Sequence, residues 1–336
     1  MFDYRKINLQ LFAELNTQTT LLTADGNNLS AEMKTFYDMT LIDEASAQLV
    51  HDQFGQKRPI PANGGKTIEF RKFSPLAKAT VALTEGVTPN GNKLNVSTIT
   101  ATVAQYGDYI VQSDILELTA LDNTILEATK ILGKQAGLTL DTVVRNVLIA
   151  GTNVNYCPKL GADGAETAVT SRAGLDATAK LTVKQIQKAV AKLRANNAPT
   201  INGDYVAIVH PYVAYDLMRD PEWIEAHKYA QPENLYTGEI GKVAGVRFVQ
   251  SSEAAILDGG VFVTLIFGEG AYGVTEISGG GLQTIVKQKG SAGTGDPLDQ
   301  RSSVGWKALK TAERLVENYM IRIESKGEFS ATASAN

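Results

Sequence analysis

Two runs of alternating side chains, separated by a long polar segment, constrain this chain more than any other feature of its sequence. Residues 66–73 and 98–103 each alternate apolar and polar side chains, which predicts two β-strands. The segment between them contains Pro89 and an Asn90-Gly91 step, which favour turns. We therefore predict a β-hairpin of roughly 45 residues with a polar tip. Since an isolated two-stranded hairpin is only marginally stable in water, this one is expected to lie on another surface, such as a neighbouring subunit.

A helical pattern follows the hairpin. Apolar residues recur at spacings of three and four from Ser113 to Ala150, and Gly151 is typical of a helix end. Such a helix is long for a globular protein, and Gly133 and Gly137 each cost about 1 kcal/mol relative to alanine in a helix interior. We therefore expect this helix to bend or break near the two glycines.

The start of the chain is more polar. Residues 1–30 form a polar arm with little apolar surface to bury. Ser30 is a typical N-cap, and the apolar residues from Met33 toward Leu49 predict a helix after it.

A second compositional unit begins after a Gly-, Ala- and Thr-rich link at residues 161–179. Thr182 and Gln185 have the spacing of a capping box, which predicts that a helix starts there and that the Thr182 hydroxyl caps it. The patterns that follow predict a unit of mixed α and β structure. Its predicted elements are a short helix after Pro211 and strands at 205–209, 246–249, 261–267 and 281–287.

The last part of the chain returns to strands after a Gly-rich loop at residues 288–300. We expect residues 303–326 to form a strand, a short turn of helix around Ala312 and a closing strand at 318–323.

Composition excludes several classes of protein. The 36 acidic and 32 basic residues give a formal charge of −4, and their interspersed signs leave no basic arm for nucleic-acid phosphates. A single cysteine, Cys157, forbids an internal disulfide and a multi-thiolate metal site, which favours a reducing cytoplasm. The densest apolar run, residues 261–267, is far shorter than the roughly 20 residues that cross a bilayer. We expect no membrane association.

No pattern in the chain predicts catalysis. His51, His210 and His227 lie outside any metal-binding spacing. Residues 268–273 match G-x-G-x-x-G, but no helix pattern follows to receive a pyrophosphate. Residues 64–67 resemble the end of a phosphate-binding loop without its first glycine. We therefore predict no catalytic, cofactor-binding or metal-binding residues, no cofactor and no enzymatic activity.

The order of elements resembles a known family. A polar arm, long hairpin, long helix, inserted α/β unit and returning strands resemble the tailed-bacteriophage major capsid protein of the Hong Kong 97 type. Residues 6–13 resemble the start of structural proteins from phages of Gram-positive hosts. Residues 238–249 and 296–307 resemble family segments in the apical domain and near the C-terminus. The subgroup with the greatest similarity is that of the podophage N-four coat protein.

This resemblance implies an α+β fold with an N-terminal arm, an extended β-hairpin loop, a spine helix in a peripheral domain and an inserted α/β apical domain. The implied segments are the arm (1–30), the start of the peripheral domain (31–55), the extended loop (56–107), the peripheral domain with spine helix 113–150 (108–180), the apical domain (181–295), the C-terminal peripheral strands (296–328) and a tail (329–336).

The resemblance also implies a function. Copies of the chain would form pentamers and hexamers and close an icosahedral shell around double-stranded DNA, without sequence-specific DNA contact. The implied partners are a portal protein at one vertex and a separate scaffolding protein, since only about 30 residues precede the first predicted helix. Assembly would occur in the host bacterial cytoplasm and the product would be the virion. We predict inter-subunit contacts by Phe70, Phe73, Ile99, Val103 and Trp306.

Some members of the family join subunits by a Lys–Asn isopeptide bond. Lys78 and Lys93 lie in the extended loop, where lysines usually serve solubility, so we expect no crosslink. Two alternatives stay open at this point. The first is an encapsulin-like compartment, which shares the fold but holds cargo enzymes. The second is a cytoplasmic α/β enzyme, which would need a deep pocket with converging titratable groups.

Overall fold

The fold is mixed α+β, and we describe it from a computed structural model. The described residues are 39–45, 48–61, 63, 65–73, 76–83, 85–88, 90–119, 124–161, 163–230, 241–276, 280–291 and 296–336. The predicted arm at 1–30 and the predicted helix start at Ser30 lie outside them.

The helices are α1 (residues 39–45), α2 (Asp114–Thr119), α3 (Thr124–Ile149), α4 (Val183–Ala195), α5 (Pro211–Met218) and α6 (Pro221–Ala230), with 3₁₀ turns at Arg172–Gly174 and Glu317–Tyr319. The strands are β1 (Gln56–Lys57), β2 (Thr67–Phe73), β3 (Val96–Thr102), β4 (Ala104–Ser113), β5 (Val154–Tyr156), β6 (Lys159–Leu160), β7 (Glu166–Thr167), β8 (Tyr205–Val209), β9 (Lys242–Val243), β10 (Val246–Gln250), β11 (Ile256–Leu257), β12 (Val261–Phe267), β13 (Tyr272–Thr275), β14 (Gln283–Lys287), β15 (Arg301–Arg314) and β16 (Met320–Ser325).

The chain divides into two compact units. The first contains the described residues within 1–48, 105–138 and 280–309, and the second contains 49–104, 139–279 and 310–336. In the first unit β15 pairs with β14, so that Ile285 lies opposite Gly305. In the second unit the last residues of β15 pair with β13.

A seven-stranded mixed sheet forms the centre of the second unit. Its order is β5-β16-β12-β8-β10-β9, with β11 on β12. β8 and β10 run parallel, and β12 runs antiparallel to both β8 and β16. Every residue of β8 and β12 is buried. These two strands are the continuous apolar runs of the sequence because the sheet is covered on both faces.

Alternate residues of β8 supply the two faces of this sheet. Ala207 packs in a core with Ile186 and Leu193 of α4, whereas Ile208 packs in a second core with Val144 of α3. The predicted strands at 205–209 and 261–267 and the helix in this unit are confirmed.

The seven-stranded sheet crosses two predicted boundaries. The sequence places residues 108–180 and 296–328 in one domain and 181–295 in another. In the structure β5 and β16, from the first group, pair in the same sheet as β12, from the second. One sheet therefore contains strands from residues 181–295 and strands from the segments on either side of them.

The long helix differs from its prediction. The segment 113–150 contains two helices, α2 and α3, and residues 120–123 between them lie outside the described residues. α3 continues without interruption through Gly133 and Gly137. A Cβ on Gly133 would lie 2.9 Å from the Leu41 carbonyl oxygen, and a Cβ on Gly137 would lie 2.5 Å from that of Ala45. The glycines therefore allow α1 to approach α3 closely and do not break the helix.

Gly137→Ala is expected to destabilise the subunit, although alanine is the better helix former by about 1 kcal/mol. The added methyl group would overlap the α1 backbone, and overpacking of this kind costs about 1–3 kcal/mol. Chemical denaturation should show a lower unfolding free energy. Gly133→Ala, with its longer contact, should lose less. A gain in stability for both variants would mean that α1 does not pack on α3 as described.

Two local predictions are wrong. Thr182 lies at the N-cap position of α4, but its side chain makes no capping hydrogen bond. Asp220 replaces it from a distant part of the chain, because its Oδ2 accepts the Val183 N–H at 2.8 Å. Ala312 lies within β15 and not in a helical turn, since β15 continues to Arg314 to pair with β13. The 3₁₀ turn occurs later, at Glu317–Tyr319.

His210 caps α5. Its Nδ1 accepts the Tyr212 N–H at 3.2 Å, while Pro211 occupies the first helical position. Burial lowers the pKa of His210 below its ordinary value of about 6.5. Only the neutral ring can accept this hydrogen bond.

This cap should make stability depend on pH. A lowered folded-state pKa means that the stabilisation is complete above pH 6.5 and is lost as the pH falls through the folded value. The loss is about 1 kcal/mol, the size of a typical N-cap. Thermal melts between pH 7.5 and 5 should show His210→Asn losing less stability than the wild type, because asparagine caps at both values. Parallel curves for the two proteins would refute the cap.

Candidate assembly surfaces

The predicted hairpin is present and its pairing is regular. β2 and β3 pair antiparallel from Thr67 opposite Thr102 to Phe73 opposite Val96, and Phe70 lies opposite Ile99. The described residues between the strands, within 76–95, adopt no regular secondary structure and are all exposed.

The tip of this hairpin is less polar than its sequence predicts. Val81 is 85% exposed and Leu83 is 77% exposed, values far outside those of ordinary core-forming residues. Soluble proteins rarely leave several large apolar side chains together in water unless a partner covers them. The exposed apolar residues of the hairpin are Leu76, Val81, Leu83, Val87, Leu94 and Val96.

The predicted inter-subunit residues of the hairpin occupy different environments. Phe70 is 3% exposed, and its ring lies where a Cβ on Gly273 would be, at 2.7 Å. Val103 is also buried, and Ile99 is half-buried. The side chain of Phe73 lies outside the described part of the structure. Phe70 and Val103 therefore pack inside their own chain and offer no free surface, which the alternation of the strand alone could not reveal.

Trp306, the fifth predicted residue, also packs inside the chain. It is 3% exposed, and its indole Nε1 donates to Gln135 Oε1 at 3.3 Å. Gln135 Nε2 in turn donates to Asp108 Oδ2 at 2.6 Å, and this hydrogen bond lowers the pKa of Asp108. A Cβ on Gly107 would lie 2.6 Å from the Trp306 carbonyl oxygen, so β4 lies directly against β15. Trp306 thus joins β4, α3 and β15.

A second exposed apolar surface lies on β4 and α2, and sequence reasoning missed it. Tyr109 and Ile115 are each 69% exposed, and Val111 and Leu116 are also exposed. Tyr109 borders an open cavity of about 350 Å³ with Ile285 and Trp306. Tyr109 and Val111 are two positions apart on β4 and therefore lie on the same face of the strand, and this spacing could have predicted the surface.

Charge is also less evenly distributed than predicted. Residues 56–107 carry seven basic and two acidic side chains, out of totals of 32 and 36, so 25 basic and 34 acidic residues remain elsewhere. Residues 105–129 contain five carboxylates and no Lys, Arg or His. The nearly neutral total therefore conceals a basic segment followed by an acidic one.

The histidine, cysteine and glycine residues that could have suggested catalysis or phosphate binding are buried, hydrogen-bonded or part of a turn. His51 Nδ1 lies 2.6 Å from Asp141 Oδ2, both side chains are buried, and Asp141 Oδ1 also accepts the Val50 and His51 N–H groups. Burial raises the pKa of the Cys157 thiol to about 12, which makes it a poor nucleophile. Gly268 and Gly270 lie in the turn between β12 and β13, where no helix follows.

Metal and membrane sites were searched within the same described ranges. These residues contain no group of three His, Cys, Asp or Glu side chains placed to hold a metal ion. They also contain no helix with the length and apolar character needed to span a bilayer.

Comparison with known proteins identifies the class. The family profile described as phage capsid protein matches residues 96–316, which is more than half of the chain. The chain belongs to the phage capsid protein family. A search of curated protein sequences finds no match.

Solved structures share the fold at low sequence identity. The capsid of cyanophage P-SCSP1u has a TM-score of 0.65 and 15% identity, over 83% of this chain and 89% of that one. The capsid of cyanophage Pam1 also has a TM-score of 0.65, with 13% identity over 98% and 100% of the two chains. A virus-like particle from Pyrococcus furiosus has a TM-score of 0.51 and 9% identity, over 87% and 100%.

The predicted fold class is confirmed, since the α+β architecture is that of Hong Kong 97-type capsids. The protein is a major capsid protein: its copies assemble into the phage shell, and it is a component of the virion. Proteins of this family are structural, and the described side chains of His51, His210 and Cys157 are all buried.

Proposed function

We propose that this subunit forms the icosahedral shell of a tailed phage through pentamers and hexamers, with the extended loop at residues 56–107 laid on a neighbouring copy. The observation that supports this most is the exposure of six large apolar side chains on one hairpin. Each can contribute about 1.5–3 kcal/mol when it is fully buried. Because each subunit makes this contact with several neighbours, the shell can be stable even though each single contact is weak.

The proposed partners follow from the family. A separate scaffolding protein would guide assembly in the host bacterial cytoplasm, a portal would occupy one vertex, and the packaged double-stranded DNA would touch the shell without sequence-specific contacts. We place the chain with the podophage N-four coat proteins, on the similarity of residues 238–249 and 296–307. The family match favours a genome shell over an encapsulin-like cargo compartment, and we propose no enzymatic role.

The proposed domains follow the sequence segments with one adjustment. Residues 31–55, 108–180 and 296–328 form the peripheral domain and 181–295 the apical domain, except that β5 and β16 are assigned to the apical domain. Their pairing within the seven-stranded sheet supports this assignment.

Negative-stain microscopy of the protein co-expressed with its scaffolding protein tests the proposal. We expect closed shells tens of nanometres across. Boiled in detergent, these shells should give a single band near 36 kDa if Lys78 and Lys93 form no isopeptide bond. A small oligomer of fixed size under all conditions would contradict the shell function.

A further inference from the structure

We propose that Asn90 is a site of spontaneous deamidation in the unassembled subunit, through ring closure onto the main-chain nitrogen of Gly91. Both residues lie in the segment that joins β2 to β3 at the tip of the hairpin. The reaction needs no enzyme, because the attacking nitrogen and the side-chain amide belong to neighbouring residues and water completes the conversion. The product carries aspartate or isoaspartate at position 90.

The chemistry has two steps, and neither needs an oxidant or a reductant. A base removes the proton of the Gly91 N–H, and the nitrogen attacks Cγ of Asn90. The N–Cγ bond forms, the Cγ–Nδ2 bond breaks, and the side-chain nitrogen takes up a proton and leaves as ammonia. Water then opens the cyclic imide by breaking one of its two C–N bonds. Cleavage at Cγ gives aspartate, and cleavage at the main-chain carbonyl carbon gives isoaspartate.

The surroundings of Asn90 and Gly91 favour this reaction. Glycine has no Cβ to shield its nitrogen, and a Cβ built on Gly91 would meet no atom within 4 Å. Ring closure requires rotation about the Cα–C bond of Asn90. Neither residue forms a hydrogen bond with another described residue, and the turn that the sequence favours at this step is not formed. Both residues are exposed, so base and water can reach them.

A second Asn-Gly step in the described part of the chain provides an internal comparison. Asn202 and Gly203 are also exposed, but their φ values of 53° and 91° are those of a type I′ turn. The Ile201 N–H donates to the Asp204 carbonyl oxygen at 2.8 Å, and the Asp204 N–H donates to that of Ile201 at 3.2 Å. Asn202 can react only after this turn opens, whereas Asn90 needs no such opening.

Deamidation changes the charge of the hairpin tip. Residues 76–95 contain two lysines, Lys78 and Lys93, and one carboxylate, Glu85. A new carboxylate at position 90 therefore cancels the single excess positive charge of this segment. A carboxylate that is buried without a partner against a neighbouring copy costs free energy. Subunits that wait before assembly should therefore become slower to assemble, and this consequence rests on the proposed function.

Peptide mapping of the unassembled subunit, incubated at physiological temperature and mildly alkaline pH, tests the chemistry. Trypsin cleavage after Lys78 and Lys93 releases a peptide, residues 79–93, that contains Asn90. This peptide should gain the mass difference between OH and NH₂ at position 90, and an isoaspartate methyltransferase should label part of it. Asn202 should react at least about tenfold more slowly, because two hydrogen bonds hold its turn.

Gly91→Ala is the matched variant. The φ of Gly91 lies outside the left-handed region and the space for a Cβ is open, so alanine leaves the fold unchanged while it shields the nitrogen. Deamidation of Asn90 should slow by about tenfold. The inference is overturned if the peptide 79–93 keeps its mass, if Asn202 reacts as fast as Asn90, or if Gly91→Ala reacts as fast as the wild type.

Asn90→Asp tests the consequence for assembly, because it installs one of the two products in every subunit. Light scattering with the scaffolding protein present should show shells forming about fivefold more slowly. Asn202→Asp makes the same charge change outside the hairpin and should stay within about twofold of wild type. An unchanged rate for Asn90→Asp, or equal slowing by the control, would overturn this consequence. Failure of the wild type to form shells would instead refute the proposed function, whereas peptide mapping decides the chemistry of Asn90 independently.

Discussion

Deleting residues 76–96 and joining the ends with an Asn-Gly turn is expected to leave a folded subunit that forms almost no shells. The described residues of the segment at 76–95 are exposed, so their removal takes little from the core. The pairing of Phe70 with Ile99 and the packing of Phe70 on Gly273 lie outside the deletion and hold the base of the hairpin. The deletion removes all six exposed apolar side chains of the hairpin.

Sedimentation and microscopy measure the loss of shells, and a thermal melt within about 2 °C of wild type establishes the fold. A companion variant keeps the length of the loop but replaces Leu76, Val81, Leu83, Val87 and Leu94 by serine. It should also assemble poorly, by at least tenfold, because apolar burial is the main source of affinity. Normal shells from either variant would show that the tip does not join subunits.

Glu324→Ala is expected to destabilise the subunit by about 3–5 kcal/mol, because it leaves the largely buried Arg322 guanidinium without a carboxylate partner. Glu324 is fully buried on β16, which lies between β5 and β12 in the seven-stranded sheet. Arg172 binds both of its carboxylate oxygens at 2.8 Å, and Arg322 approaches one of them at 3.1 Å. Charge-assisted bidentate pairs of this kind are among the stronger polar interactions in proteins.

Urea unfolding of the unassembled subunit measures this loss. Arg172→Ala should cost less, because Arg172 is partly exposed and Arg322 still faces the carboxylate. Glu328→Ala is the matched control: that carboxylate is exposed, pairs with Lys180 at 3.4 Å, and should contribute less than 1 kcal/mol. Equal effects at Glu324 and Glu328 would mean that the buried pair adds nothing to stability.

The sequence predicted those strands and helices whose burial produces a recognisable pattern of apolar residues along the chain. β8 and β12 are continuous apolar runs because both faces of their sheet are covered, and the hairpin strands alternate. The function was implied by a resemblance to a known family, which rested on the order of elements and on short segments, and the family match agrees with it.

The errors concern contacts between residues far apart in the chain. The alternation of β2 does not reveal that Phe70 packs on Gly273, some two hundred positions away. Gly133 and Gly137 weaken a helix in isolation, but the approach of α1 requires them. The charge total of −4 hid opposite charges on neighbouring segments, because a sum over the whole chain discards position.

The pairing of β12 with β16 has a consequence for synthesis on the ribosome. β12 leaves the ribosome more than fifty residues before β16. One edge of this strand, which is fully buried in the folded protein, is therefore unpaired until residues 320–325 leave the exit tunnel. The hairpin is translated much earlier. A chain that terminates before residue 320 therefore carries the complete hairpin together with a seven-stranded sheet that lacks β16, and the open edge of β12 leaves backbone groups unpaired.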